Sequence, residues 1–532
     1  MSLQNRGFLF VGTFLQSHSR RRSLPACKPN SGAHTASLVA SSGPIMPQHS
    51  DGSFEKPRKG VPARPSVSKF DPHYFKLSYI LPQFGLVLNM KRRRLALSIM
   101  RRWVTFGILT LQASLSLAAD LPETVTHATF PRSDMSQVLL GHSLFYDPIL
   151  SGNQDIACAT CHHPTLGSSD GMSLSLGAGA KGLGPERVLM GGQLPQGRVP
   201  RNAPALWNLG AREFELMFHD GRVAKDPDAP FGILMPQDRP LDRVMPSPLA
   251  AQAMLPVLSA VEMAGQPGSN PVADAVAERQ ADLAWALLAE RVNAIPDYRR
   301  RFDILIGADQ AVHFSDIASA IAAFITYEFR ATNSRFDAYL NGDEKALPQS
   351  AKRGLELFYG AANCASCHSG LFQTDHGFHA IGLPQLGPGK DAKLTPYADF
   401  GRHSVTGIPE DLYRFRTPTL RNIALTAPYG HSGAYATLEA VVRHHLEPNR
   451  ALLNYDRTQA VLHDVPLDDW KAMNDEVELF EIAASIELPA QSLSDQEVDD
   501  ILAFLKALTD PGSKRGRLGV PDNVPSGLPV DR

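Results

Sequence analysis

The stretch "IACATCHHP", residues 156–164, has a shorter counterpart in "NCASCHSG", residues 363–370. The chain of 532 residues contains five cysteines, and four of them lie in these two copies of the pattern C-x-x-C-H. Two thiols at this spacing add to the two vinyl groups of one porphyrin, and the histidine that follows reaches the iron from one side. Each copy therefore predicts a covalently attached c-type haem, one held by Cys158 and Cys161 and the other by Cys364 and Cys367.

The histidines of the two motifs, His162 and His368, are the predicted proximal ligands of the two haem irons. A zinc site or a thioredoxin-type dithiol is the alternative, because C-x-x-C alone serves both. The histidine follows immediately in both copies, and no third C-x-x-C completes a zinc site. Haem attachment is therefore the favoured interpretation.

The composition is that of an ordinary globular protein. The formal net charge is −2, charged residues make up 20% of the chain and hydrophobic residues 43%. This balance gives no reason to expect a nucleic-acid partner, and the length allows about two to four domains with cores of their own.

The first 119 residues differ from the rest. Residues 1–89 are rich in Ser, Pro and Arg, and we interpret them as disordered or as an upstream stretch wrongly included in the chain. Residues 90–119 have a basic start, "MKRRRLALSIMRRW", an apolar run, "VTFGILTLQASLSLAA", and small residues at 118–119. That order predicts a signal peptide and export to the periplasm. An uncleaved membrane anchor is the alternative, but the apolar run is shorter than the roughly twenty residues of a membrane span, so no anchor is expected.

Periodic apolar residues predict a mainly α fold with long loops. The stretches "PVADAVAERQADLAWALLAERV" and "FSDIASAIAAFITYEFR" have apolar residues at three- and four-residue spacing, and "SAKRGLELFYG" leads directly into the second motif. A last helix is predicted in "SLSDQEVDDILAFLKALTD", with Ser492 or Ser494 as its N-cap. We expect two helical, cytochrome-c-like domains with one haem each, at 120–335 and 336–512, followed by a tail at 513–532.

Several stretches together resemble the bacterial di-haem cytochrome c peroxidases and their relatives of the MauG type, which act in methylamine utilisation. The similar stretches include "LLGHSLFYDPILSGNQDIACATCHHP", "FHDGR", "AAQAMLPVLSAVEMAG", "GLELFYGAANCASCHSGLF" and "RTPTLRNIALTAPYGHSG", in the same order and spacing. The resemblance implies a first haem that meets peroxide and a second that passes electrons. It also implies a calcium ion between the haems, held by the Asn202 side chain and the backbone carbonyls of Thr426 and Pro428, ligands of the kind a hard cation prefers.

The resemblance also assigns residues around the first haem. Glu262 matches the family's distal glutamate, which shuttles a proton during peroxide cleavage, and Gln252 and Pro256 match the residues that shape the pocket. Without the resemblance, Glu262 would read as an ordinary solvated carboxylate. Where the family's peroxidases have a histidine that closes the resting haem, this chain has Ala178, so we expect an open first iron, as in the MauG branch.

Around the second haem, the family's sixth ligand matches His445 in "YATLEAVVRHHLEP", with His444 beside it. The alternative is that both histidines cap or cover the helix surface. Where the family's peroxidases have a tryptophan between the haems, this chain has His219. Electrons then tunnel directly between the haems, or Trp207 or another aromatic residue assists.

Three functions compete. The leading one is a periplasmic peroxidase that reduces hydrogen peroxide with electrons from a small donor protein, a cytochrome c or a cupredoxin. The second is a MauG-like enzyme that oxidises protein side chains during quinone cofactor maturation. The third is a di-haem electron carrier without catalytic activity.

Overall fold

The computed structural model describes residues 121–190, 197–236, 239–390, 395 and 397–532. The predicted signal peptide and the 89 residues before it lie outside these ranges. The predicted mainly helical character is confirmed, since helices joined by long loops dominate the described residues and their strands are two or three residues long.

Among the described residues, the part of the chain around the first motif contains seven α-helices: α1 (Met135–Tyr146), α2 (Cys158–Cys161), α3 (Pro248–Gln252), α4 (Pro271–Ala277), α5 (Ala281–Asn293), α6 (Pro296–Ile306) and α7 (Phe314–Glu328). A single π-helical turn, Ala260–Ala264, follows a 3-10 turn at Pro256–Leu258.

The described residues around the second motif form eight further α-helices: α8 (Arg335–Leu340), α9 (Gln349–Phe358), α10 (His403–Thr406), α11 (Leu438–Leu446), α12 (Pro448–Leu453), α13 (Lys471–Asn474), α14 (Glu476–Ala484) and α15 (Asp495–Ala507). Cys364–Ser366 of the second motif form a 3-10 turn.

The strands form three small antiparallel sheets. The first pairs β1 (Ala180–Lys181) with β2 (Val188–Leu189), and the second has the order β3 (Leu216–Met217), β4 (Val223–Lys225), β5 (Ile233–Leu234). In the third, β6 (Phe378–His379) pairs with β7 (Phe415–Arg416), with Phe378 opposite Arg416. The second sheet also contributes Met217, Val223 and Ile233 to the core around the first motif, which helices otherwise dominate.

Two helix crossings have the same construction. α1, which precedes the first motif, packs on α7, and α9, which precedes the second motif, packs on α15. A β-carbon on Gly141 of α1 would overlap the Ala320 carbonyl oxygen, and one on Gly354 of α9 would overlap the Asp500 carbonyl oxygen. Glycine therefore allows the two backbones to touch at each crossing.

Local signals account for where several helices begin and end. Ser494, one of the two predicted N-caps, accepts a hydrogen bond from the Glu497 amide and begins α15 with a capping box. The predicted apolar face of α15 is buried. The helical stretch starting at Pro271 divides into α4 and α5, because Arg279 has a left-handed φ of 60° and the Gln280 amide turns back to the Ala275 carbonyl.

The C-terminal segment, which we define as residues 517–532, packs against the first part of the chain. The Glu328 carboxylate accepts backbone hydrogen bonds from residues 517, 518 and 519. Val524 is buried in the core that surrounds the first motif. Thr160, inside that motif, donates to Asp531 at 2.7 Å. The segment predicted as a tail is thus part of the packed structure.

None of the helices in the described ranges is long and apolar enough to cross a membrane.

Candidate active site

The first motif lies in a single helical turn beside a cavity. Cys158 and Cys161 are half-buried free thiols, and together with His162 they line a cavity. Burial raises the pKa of both thiols to about 12. The two thiols and His162 thus stand together at one side of the cavity.

The structure brings the predicted pocket residues to this same cavity. Gln252 comes from the end of α3, Pro256 from the following 3-10 turn and Glu262 from the π-helical turn, and all three line the cavity with the motif. The Gln252 Oε1 is buried there without a hydrogen-bond partner among the described residues. Buried polar atoms are usually paired, so this oxygen is available to a bound molecule.

The stretch around Ala178 packs on the backbone of Glu262. The Ala178 amide donates to the Glu262 carbonyl oxygen at 2.9 Å. Burial raises the pKa of the Glu262 carboxyl above its ordinary value, while the positive charges of Lys390, Arg222 and Arg239 act in the opposite direction. Glu262 is therefore a half-buried carboxyl whose protonation depends on neighbouring cations.

A buried ion network forms another wall of the cavity. Arg201 donates to Asp399 at 2.6 and 2.7 Å and to Asp220 at 2.6 Å, and Arg222 donates to Asp220 at 2.9 Å. Burial alone would raise the pKa values of the two carboxyls, but Arg201 holds both well below their ordinary range. Because Asp399 is 198 residues from Arg201, the network joins distant parts of the chain.

His219, which replaces the expected tryptophan, lies in the same cavity wall. Burial, together with the charges of Arg201 and His431, lowers its pKa well below the ordinary value, so the imidazole is neutral. Trp207 is buried away from the cavity lining, against Phe329, and donates to the Gly167 carbonyl at 2.8 Å.

Lys390 is a cavity residue that the sequence analysis missed. It follows "LGPG", residues 386–389, where neither periodicity nor a motif marks it. Burial and the charge of Arg222 lower its pKa to about 8, against the opposing effect of Glu262.

At the second motif, His368 and His445 face each other. Their ring centres are 6.4 Å apart. A metal–imidazole bond is about 2 Å long, and the ligating nitrogen lies roughly 1 Å from the centre of its ring. Two imidazole rings that bind one metal ion from opposite sides therefore have centres about 6 Å apart. The separation thus fits two axial ligands of one haem iron.

His444 and His445 differ in what remains free on each ring. His444 is buried, its Nε2 donates to the Ile381 carbonyl at 2.7 Å, and its Nδ1 is hydrogen bonded to the Tyr435 hydroxyl at 2.8 Å. His445 donates from Nδ1 to the Val441 carbonyl of its own helix at 2.7 Å. Both nitrogens of His444 are engaged, whereas the hydrogen bond of His445 leaves Nε2 for a metal.

The residues implied for calcium lie on two loops. Asn202 is buried, its Nδ2 donates to the Met172 carbonyl at 2.8 Å, and its backbone amide donates to the His431 carbonyl at 2.8 Å. This arrangement leaves Oδ1 as a potential cation ligand, and it brings Asn202 to the loop that follows Thr426 and Pro428. The donor set fits a calcium ion, which prefers oxygen ligands.

The side chains around each motif fit a c-type haem. Two thiols stand beside each proximal histidine, and both histidines donate from Nδ1 to a backbone carbonyl, His162 to Ser168 at 3.1 Å and His368 to Gln373 at 3.2 Å. Such a hydrogen bond is the usual outer contact of a metal-binding histidine. The fold and these sites define a helical protein of the c-type haem class.

Known proteins identify the family within that class. The family described as di-haem cytochrome c peroxidase matches residues 135–345. The chain is 32% identical over 332 residues to the cytochrome c551 peroxidase of Pseudomonas aeruginosa, covering 62% of this chain and 77% of that protein. It is 31% identical over 330 residues to the methylamine utilization protein MauG of Methylorubrum extorquens, covering 61% and 73%. The chain therefore belongs to the di-haem cytochrome c peroxidase family and is an oxidoreductase.

A solved structure of a MauG-like protein associated with microbial copper homeostasis is also similar, with 28% identity and a TM-score of 0.47 over 75% of this chain and 96% of that one.

Proposed function

We propose that this protein reduces hydrogen peroxide at the first haem site with electrons that arrive through the second. The observation that carries the proposal is the cavity that brings the first C-x-x-C-H motif together with Gln252, Pro256 and Glu262. In the overall reaction the O–O bond of one peroxide molecule breaks, and two electrons and two protons complete two molecules of water. The haem supplies the redox chemistry when bound.

The protein's own side chains move the proton and orient the substrate. Ionised Glu262 accepts a proton from one peroxide oxygen and returns it to the oxygen that leaves. Gln252 has a buried amide oxygen without a partner among the described residues, which suits it to accept a hydrogen bond from peroxide. Pro256 begins the turn between these two residues and fixes their spacing.

The second site serves electron transfer in this proposal. His368 and His445 would both ligate the second haem, and a haem held by two imidazoles would pass electrons with little rearrangement on redox change. A small cytochrome or cupredoxin is the proposed donor. The repeated glycine crossings beside the two motifs support two cytochrome-c-like units at 120–335 and 336–512.

The remaining proposals concern calcium and location. Asn202, Thr426 and Pro428 would hold the calcium ion between the two units. Export to the periplasm is proposed from the signal pattern at 90–119, which suits covalent haem attachment outside the cytoplasm.

A MauG-like role is the second candidate, favoured by Ala178 in place of a closing histidine. In that role the electrons come from side chains of a partner protein. A third possibility, an inert electron carrier, requires a residue that closes the first iron, and the polar pocket around Glu262 argues against it.

Peroxide turnover of the mature protein with several reduced donors tests the proposal. We expect a mass with two haem increments and rapid peroxide reduction with a reduced cytochrome or cupredoxin. Turnover absent with every small donor, but present with a quinone-enzyme precursor, would favour the MauG-like role. If the protein does not react with peroxide, the remaining function is that of an electron carrier without catalytic activity.

A further inference from the structure

We propose that Lys390 is a positioning residue for proton transfer in the peroxide cavity, where its ammonium group keeps Glu262 in the form that accepts a proton. This inference rests on the proposed peroxidase function and adds a residue from the second part of the chain to the first site.

The cavity charges indicate this role for Lys390. Arg201 and Arg222 are hydrogen bonded to Asp220 and Asp399, so two guanidinium groups and two carboxylates compensate one another. Glu262 has no side-chain hydrogen bond of this kind among the described residues, and it lines the cavity together with Lys390. Lys390 is thus a cation of the cavity lining, outside the Arg–Asp network, that can balance Glu262.

The electrostatics of the two groups agree with the geometry. Burial raises the pKa of Glu262, and among the charges that oppose this effect Lys390 acts most strongly, ahead of Arg222 and Arg239. Arg222, Arg201, Asp220 and Glu262 in turn act on Lys390, whose pKa of about 8 leaves it mostly protonated at neutral pH. The positive charge that favours the ionised form of Glu262 is therefore present at neutral pH.

The backbone around Lys390 is tied to the cavity wall. The Lys390 amide donates to the Ala398 carbonyl at 2.9 Å. The next residue, Asp399, is fixed by Gln385, which donates to its carbonyl at 2.8 Å and accepts from its amide at 2.9 Å. The Asp399 carboxylate binds Arg201 in the wall. These contacts anchor the loop that supplies Lys390.

The chemistry explains why such a cation matters. A protonated Glu262 cannot accept the first proton from peroxide, so the rate falls at low pH as Glu262 becomes protonated. A positive charge nearby favours the carboxylate and moves this loss of rate to lower pH. Removing the charge of Lys390 moves it to higher pH.

The test is the pH dependence of the peroxide reaction in Lys390→Met and Lys390→Arg, followed by stopped-flow absorbance between about pH 4 and pH 9. Cyanide binding to the first haem is measured in parallel, because hydrogen cyanide also gives up a proton as it binds and needs no turnover. Lys181→Met is the matched control, since Lys181 is exposed in β1 and does not line the cavity.

Both the peroxide reaction and cyanide binding should slow at low pH, and we call this part of each pH profile the acid limb. In Lys390→Met we expect both acid limbs to move upward by about one pH unit or more. In Lys390→Arg and in the control Lys181→Met, the acid limb should lie at the same pH as in the wild type. In the Glu262→Gln background, Lys390→Met has no further effect on the limb.

If the acid limbs of Lys390→Met and the wild type lie at the same pH, the inference is wrong. An equal loss of rate at every pH with a changed haem spectrum would also overturn it, because Lys390 would then shape the pocket without acting on Glu262. If the wild type does not react with peroxide, the proposed function fails, while the cyanide profiles still decide the role of Lys390.

Discussion

At the residue scale, three histidines share one arrangement. His162, His368 and His445 each donate from Nδ1 to a backbone carbonyl, and burial lowers the pKa of each below its ordinary value. A neutral ring with Nδ1 protonated presents the lone pair of Nε2 to a metal. The same tautomer at all three positions supports their proposed role as axial ligands.

His445→Ala tests the sixth ligand of the second haem. We expect the resting ferric protein to show one high-spin signal, from the open first iron, and one low-spin signal, from the second. In His445→Ala the low-spin signal disappears and electron delivery fails, because the altered coordination raises the reorganisation cost. Electron paramagnetic resonance measures both forms.

His444→Ala is the matched control for that substitution, because both ring nitrogens of His444 already have partners in the protein. The low-spin signal should persist in this variant. Two low-spin signals in the resting wild type would contradict the open first iron and direct attention to His219, which lies in the cavity wall.

Glu262→Gln tests the proton acceptor. The amide preserves shape but cannot accept the proton, so we expect peroxide reduction to slow by about two to four powers of ten. Mass and absorbance spectra should show both haems retained. Glu186→Gln is the control, since Glu186 is an exposed acid outside the cavity lining. Unchanged turnover in Glu262→Gln would refute the assignment.

At the element scale, the crossings of α1 with α7 and of α9 with α15 place each motif directly after a tightly packed helix. The contact depends on the absence of a side chain at Gly141 and Gly354. Each motif begins within twelve residues of the end of its helix. A change in how the two helices pack at the crossing would therefore displace the thiols.

Gly354→Ala tests the second crossing. In an exposed helix this change would stabilise the protein by up to about 1 kcal/mol. Here the methyl group meets the Asp500 carbonyl, and we expect the free energy of unfolding to fall by about 1 to 3 kcal/mol. Urea unfolding followed by the absorbance of the second haem measures the effect.

Gly197→Ala is the control for this crossing, because its β-carbon would lie 3.6 Å from a Val261 methyl, an ordinary contact. If both variants unfold like the wild type, the α9–α15 backbones are farther apart than described.

At the scale of the whole molecule, distant parts of the chain complete the first site. Lys390 and Asp399 come from the region of the second motif, and the C-terminal segment, residues 517–532, closes over the core of the first part. The first site therefore depends on the fold of nearly the whole described chain.

Removal of residues 518–532 tests the contribution of the C-terminal segment. The loss exposes the surface that Val524 and its apolar neighbours cover and leaves Glu328 with fewer backbone donors. We expect the free energy of unfolding to fall by about 2 to 5 kcal/mol, measured in urea by the absorbance of the first haem. Asp531→Asn, which alters one contact, should cost about 1 kcal/mol. Equal stability of the shortened and full chains would mean that the segment is a dispensable tail.

The sequence by itself determined the features that depend on near neighbours. The C-x-x-C-H spacing predicts haem attachment because two thiols and an imidazole lie within one turn, and apolar periodicity predicted helices such as α7 and α15. The resemblance to the di-haem cytochrome c peroxidases was confirmed by relatives of about 31% and 32% identity. The roles of Glu262, Gln252, Pro256 and the calcium residues stay predictions.

Only the tertiary structure decided which of two adjacent histidines keeps a free nitrogen. His444 and His445 are equivalent in the sequence, and the partners of His444, Tyr435 and Ile381, meet it only after the loops pack. Lys390 likewise lies 128 positions from Glu262 in a loop without a motif, and a shared cavity alone brings them together. Local spacing determines covalent chemistry, whereas the charge and protonation of a buried group depend on neighbours that packing brings from distant parts of the chain.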